Sequence, residues 1–174
     1  MNNTYFVLGS GRCGSSTVAR ILHTKLSVFM GEHFRLPDRD NLKGYYEDLE
    51  FKNPNGLFLT GRYLFSQWNN IIKREIEKRQ NKSWGLKDPR LCYLLGLYLC
   101  YINNPIFIRC QRNIEKVANS MRKCYGWKIE DSIKEVQRRE LYLNRLLKNK
   151  KVLNISFDSF KTDEEIIIEL EDQI

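Results

Sequence analysis

Histidine is scarce in this chain: two residues, at positions 23 and 33, so no histidine-rich metal site is expected and no metal is assigned. The five cysteines (13, 92, 100, 110 and 124) form no Cys-x-x-Cys pair and are odd in number. That excludes a fully paired disulfide framework and fits reduced thiols in a cytoplasmic compartment. No uncharged apolar stretch reaches the roughly 18 residues a membrane span needs. The longest apolar run, residues 91–102, reads as a buried helix. No signal peptide is expected, because the chain enters a first strand within a few residues. Acidic residues are in deficit, 21 against 29 basic, for a net charge of +8. Such a balance suits an anionic ligand. The basic residues are interleaved with acids, as in Lys73-Arg74-Glu75 and Arg138-Arg139-Glu140. A nucleic-acid binder concentrates its charge among aromatics, so these read as solvated helix faces and no nucleic-acid partner is expected. With 174 residues, 42% of them hydrophobic, residues 1–174 are expected to form a single domain.

What is present is a glycine-rich turn. Residues 9–17 read Gly-Ser-Gly-Arg-Cys-Gly-Ser-Ser-Thr, directly after the apolar run Tyr5-Phe6-Val7-Leu8. Val18, Ile21 and Leu22 then recur at helical spacing. A strand, a glycine turn and a helix start make an anion cradle: the backbone approaches closely, free N–H groups point outward, and the helix dipole favours negative charge. The spacing approaches the nucleotide loop Gly-x-x-x-x-Gly-Lys-Ser/Thr, with Gly9, Gly14 and Ser16 in place. Ser15 stands where that loop carries its lysine, which argues against triphosphate chemistry; Arg12 brings a cation into the turn instead. A phosphatase would need Cys-x5-Arg, but Ala19 follows Cys13 at that spacing, and Arg20 comes one residue late, about 100° around the helix. Cys13 therefore reads as a small loop residue.

Downstream, strands alternate with helices. Strands are expected at residues 5–9, 83–87, 106–108 and 151–157, and helices at 14–26, 57–82, 91–103, 114–124, 129–149 and after Thr162-Asp163-Glu164-Glu165, a capping pattern. Residues 31–56, with Pro37, Pro54, Gly44 and many Asp and Asn, read as one long loop on the acceptor side. The alternation predicts an α/β, P-loop-like three-layer fold. Its central parallel sheet would have about 4–5 strands and carry helices on both faces. Ligands of such sheets bind beyond the carboxyl ends of the strands. That edge would gather residues 9–16, 87–88 and 110–112. Arg112, at the end of one strand, and Ser120, two turns into the next helix, can converge on one phosphate, the arginine as a fork and the serine as a hydroxyl donor.

Together these residues resemble the sulfotransferase family that uses 3′-phosphoadenosine 5′-phosphosulfate (PAPS). Gly11-Arg12-Cys13-Gly14-Ser15-Ser16 is similar to that family's 5′-phosphosulfate loop. Arg112-Asn113 through Ser120 is similar to its 3′-phosphate motif, with Ile114 where many members carry proline. Gly31-Glu32-His33-Phe34-Arg35, Gly44-Tyr45-Tyr46-Glu47-Asp48-Leu49 and Trp84-Gly85-Leu86-Lys87-Asp88-Pro89-Arg90 resemble stretches of bacterial and tyrosylprotein sulfotransferases. Leu153 to Phe160 resembles the family's late strand and acidic turn. The Arg-Lys-Gly segment of cytosolic members is absent, and the short chain leaves the acceptor part small or completed by another subunit.

The resemblance implies sulfuryl transfer from PAPS to a hydroxyl or amine, with 3′-phosphoadenosine 5′-phosphate (PAP) as product and no metal. It implies that the N–H groups of Cys13, Gly14, Ser15, Ser16 and Thr17, with Gly11 in the turn, hold the 5′-phosphosulfate. Arg12 and Lys87 would neutralise the departing oxygen, and Arg112 and Ser120 would hold the 3′-phosphate. A hydroxyl acceptor needs a general base. Glu32 is the first candidate, because Gly-Glu-x-x-Arg resembles the tyrosylprotein enzymes' catalytic segment; His33 and Glu47 are the alternatives. The mixed aromatic and charged loop suits a small-molecule, sugar or peptide acceptor, and a homodimer is compatible with the chain length. Two competing readings are a P-loop nucleotide kinase or hydrolase and an inactive nucleotide-binding relative.

Overall fold

The computed structural model describes residues 2–158 and 161–171. Four strands alternate with helices: β1 (Thr4–Leu8), α1 (Ser15–Thr24), α2 (Leu49–Leu59), α3 (Phe65–Glu77), β2 (Trp84–Lys87), α4 (Leu91–Tyr98), β3 (Pro105–Gln111), α5 (Ile114–Tyr125), α6 (Ile129–Leu146), β4 (Val152–Ser156) and α7 (Asp163–Glu171). The strands pair in the order β2-β1-β3-β4, and every pairing is parallel. β1 is buried along its whole length, as a central parallel strand must be. Its side chains alternate between two cores. Tyr5 and Val7 pack with Val18, Ile21 and Leu22 of α1, Val117 and Met121 of α5, and Ile166 and Leu170 of α7. Phe6 and Leu8 face Phe51 of α2, Trp68 and Ile72 of α3, and Leu91, Leu95 and Tyr98 of α4. The result is a three-layer α/β fold with four strands and helices on both faces. Among the described residues, no helix is long and apolar enough to cross a membrane.

Two expectations need correction. The irregular stretch expected over 31–56 ends at residue 48, because α2 begins at Leu49 and carries Pro54 in its interior. Local composition is overridden there. The Asp48 side chain accepts the Glu50 N–H and caps the helix, while Phe51 is buried against the stacked Trp84 ring. The single helix expected over 57–82 is two helices, α2 and α3, broken by a turn in which Gly61 takes φ 71°. Elsewhere the differences are at element ends. The helix expected over 91–103 finishes as a 3-10 turn, Leu99–Tyr101. The Thr162 pattern is a reciprocal box: Thr162 N–H donates to Glu165 Oε2 at 2.7 Å, and Glu165 N–H to Thr162 Oγ1 at 3.2 Å. The late acidic turn expected through Phe160 lies partly outside the described residues.

Candidate functional site

Parallel pairing sends all four strand ends to one edge, and a cavity of about 440 Å³ opens there. That is within the usual range for small-molecule sites. Its floor is the turn after β1. Gly11 (φ 85°), Arg12 (φ 59°) and Gly14 (φ 93°) all adopt left-handed backbone. At Gly14 the requirement is double, because a Cβ there would lie 2.5 Å from the Phe157 ring. Gly14 is also the N-cap of α1. Among the described residues no side chain caps this helix, and its first turn holds no acid, so its dipole and its first N–H groups are turned to the cavity.

The arginine expected to line the turn is held in place. Arg12 Nε donates to Ser120 Oγ at 3.0 Å, and its NH2 donates to the Asp40 carbonyl at 3.0 Å. From the end of β3, Arg112 NH1 reaches the Arg12 carbonyl at 3.4 Å. Arg12, Arg112 and Ser120 thus meet at one wall of the cavity, together with Gly11, Gly14, Ser15, Ser16 and Thr17. At the opposite wall, Lys87 ends β2 and donates to Glu47 Oε1 at 2.8 Å, with both side chains buried. Cys13, expected among the donor-binding residues, is not part of the cavity lining. Its side chain lies in the core, and burial pushes the thiol pKa up, so no reactive thiolate faces the turn.

Glu32 and His33 do not line this cavity. Both are exposed and border a separate depression with Phe29, Glu50, Glu75, Lys78, Arg79 and Lys82. His33 Nδ1 lies 3.8 Å from Glu50 Oε1. The cause is local. Gly31 takes φ 135°, a Cβ there would lie 2.6 Å from Asp48 Cγ, and residues 33–35 and 47–49 then pair as a short antiparallel ribbon. Of the three candidate bases, Glu47 is the one that faces Lys87. The opposite expectation, with Glu32 first, rested on a short stretch whose spacing does not say which way the chain turns.

Several lining residues had no role in the motif reading. Tyr45 donates its hydroxyl to Asp38 Oδ1 at 2.6 Å, under the Arg35 guanidinium 3.7 Å from its ring centroid. Burial, reinforced by Asp38, pushes its pKa up to about 12, so it remains a neutral phenol at physiological pH. Arg139 of α6 donates to the Ser10 carbonyl at 2.8 Å and braces the glycine turn from below. Arg90 grips Asp88 through Nε at 2.9 Å and NH2 at 2.8 Å. Asn55, fully buried, links Asp88 (3.1 Å) to Trp68 Nε1 (2.9 Å) and the Tyr98 hydroxyl (2.8 Å). The one sequence signal for this network is Gly56 inside α2, where a Cβ would lie 2.5 Å from Arg90 NH1.

No family model matches the chain, and no curated protein matches it. The site is therefore described by its own chemistry: uncapped helix amides and two arginines at one wall, and a buried lysine–carboxylate pair at the other. Among the described residues, no cluster of three or more His, Cys, Asp or Glu side chains is arranged to hold a metal ion.

Proposed function

We propose that this chain transfers a sulfuryl group from PAPS to a hydroxyl acceptor. The observation that carries the reading is that Arg12, Lys87, Arg112 and Ser120 line one cavity around the glycine turn, although they come from the ends of three strands and from helix α5. The residues fit such a donor. A polyanion suits two guanidiniums, one hydroxyl and the open amides of α1, and Ser15 replaces the lysine a nucleotide kinase would use. Asp88 is tied to Arg90 and Asn55, which speaks against it as a magnesium ligand of a kinase.

Bound in this cavity, PAPS supplies an activated sulfur: the acceptor oxygen–sulfur bond forms as the bond from sulfur to the bridging phosphate oxygen breaks, and PAP leaves. The chain's own work is positioning and charge stabilisation. The α1 amides and Arg12 hold the phosphosulfate. Arg112 and Ser120 hold the 3′-phosphate. Lys87 turns its ammonium to the charge on the departing oxygen, and Glu47 takes the acceptor's hydroxyl proton.

The test is thermal unfolding and titration with PAP against ATP plus Mg²⁺. Binding to the folded state raises the melting temperature by mass action. PAP is expected to stabilise, and Arg112→Ala to weaken PAP binding about tenfold or more, the size of a lost charge-assisted bond. Stabilisation by ATP alone overturns the reading.

A further inference from the structure

The wall of the cavity on the β2 side carries more positive charge than its own carboxylates neutralise. In the sheet order, β2 and β3 flank β1 on opposite sides, so the Lys87–Arg90 segment lies across the glycine turn from Arg112 and Ser120. At the β2 end the charges pair off: Lys87 with Glu47 and Arg90 with Asp88. Lys52 of α2 also lines the cavity, is half-buried, and has no ion-pair partner among the described residues. Beside it, Arg90 is unusually well fixed. Three of its five N–H donors are committed to Asp88 and to the Lys52 carbonyl (2.7 Å). The remaining nitrogen, NH1, has no hydrogen-bond partner among the described residues and lies against Gly56, which has no side chain to displace it.

We propose that Lys52 and Arg90 form an oxyanion subsite on the acceptor side of the cavity. The acceptor is then a hydroxyl compound that also carries a carboxylate. Lys52 adds one positive charge with no ion-pair partner among the described residues, which matches a monoanionic carboxylate better than a dianionic phosphate, and a guanidinium and an ammonium lining one cavity suit two carboxylate oxygens. The glycine in the interior of α2 is disfavoured for the helix, and it makes room for the Arg90 fork. The acceptor assignment rests on the sulfotransferase reading; the anion site itself does not.

The experiment is calorimetric titration, with and without saturating PAP, of two matched pairs: 4-hydroxyphenylacetate against 4-hydroxyphenylacetamide, and glucuronate against glucose. Each acid is expected to bind about tenfold or more tighter than its neutral partner, the size of one charge-assisted contact. Lys52→Gln is expected to remove most of that preference. Gly56→Ala, which adds a helix-favouring methyl and pushes Arg90 aside, is expected to reduce it with the fold intact. Equal binding of acid and neutral partner, no measurable binding of either acid, or a preference that survives both variants overturns the subsite. If PAP fails to bind while a Lys52-dependent acid preference remains, the donor assignment falls and the anion site stands. If PAP binds without any acid preference, the subsite alone falls.

Discussion

Glu47 and Lys87 are each buried against the other, so removing either leaves a charge without a partner or water. Glu47→Gln or Lys87→Met is expected to cost about 3–5 kcal/mol in urea unfolding, and the double variant less than the sum. Once an acceptor is found, Glu47→Gln should lower kcat by about 10²–10⁴-fold, measured on protein still folded at the assay temperature. At Gly14 a methyl meets the Phe157 ring and a backbone of φ 93°. Gly14→Ala is expected to lose about 1–3 kcal/mol and most PAP binding, read by urea midpoint and calorimetry. At this scale the sequence was informative where a side chain sits beside a strand end. Arg12, Lys87 and Arg112 are placed by the alternation of strands and turns, and Ser120 by its spacing two helical turns after Arg112. Glu32 did not, because its direction depends on how Gly31 and the ribbon of residues 33–35 and 47–49 turn the chain, and spacing does not record that.

Among the elements, α2 joins the most parts of the site. It carries Lys52, Gly56 and Asn55, and through Asn55 it ties α3, α4 and the β2 end together. Asn55→Ala orphans buried groups on all three and is expected to cost about 2–4 kcal/mol, seen as a lowered urea midpoint. Its composition hid it: Asn53, Pro54 and Asn55 in succession are loop signals, and the helix forms because Asp48 caps it and Phe51 has a core to enter. The helix after Thr162 was legible, because a capping box is a local device needing no tertiary partner. Its Asp163 pairs with Arg20 of α1 at 2.6 Å, and this bond holds the carboxyl pKa below the usual range. The native state then binds that proton less readily than the unfolded chain, so the contribution is present above about pH 4 and is lost as pH falls through the native pKa. Asp163→Asn is expected to flatten the acid limb of a stability–pH curve while leaving its shape near neutrality unchanged.

For the molecule as a whole, the alternation of strands and helices implied a parallel sheet with covered faces. The strand order β2-β1-β3-β4 was beyond it, because that order depends on which apolar faces meet once the chain is collapsed. It is nevertheless this order that sets the two arginines and the buried lysine on opposite walls. With +8 overall and cations on both walls, PAP affinity is expected to fall as salt rises from roughly 0.05 to 0.5 M, checked by titration at each. The packing of Phe157 on Gly14 has a consequence for how the protein is made. Synthesis delivers the glycine turn well before Phe157, the ring that supports it, and contacts so distant along the chain form late. A nascent polypeptide halted within α6 would hold the whole turn, Lys87, Arg112 and Ser120, and would still lack the surface on which the turn rests. On the proposed reading, stalled nascent chains are expected to bind PAP only once Phe157 has been made, which titration of chains halted before and after it would check.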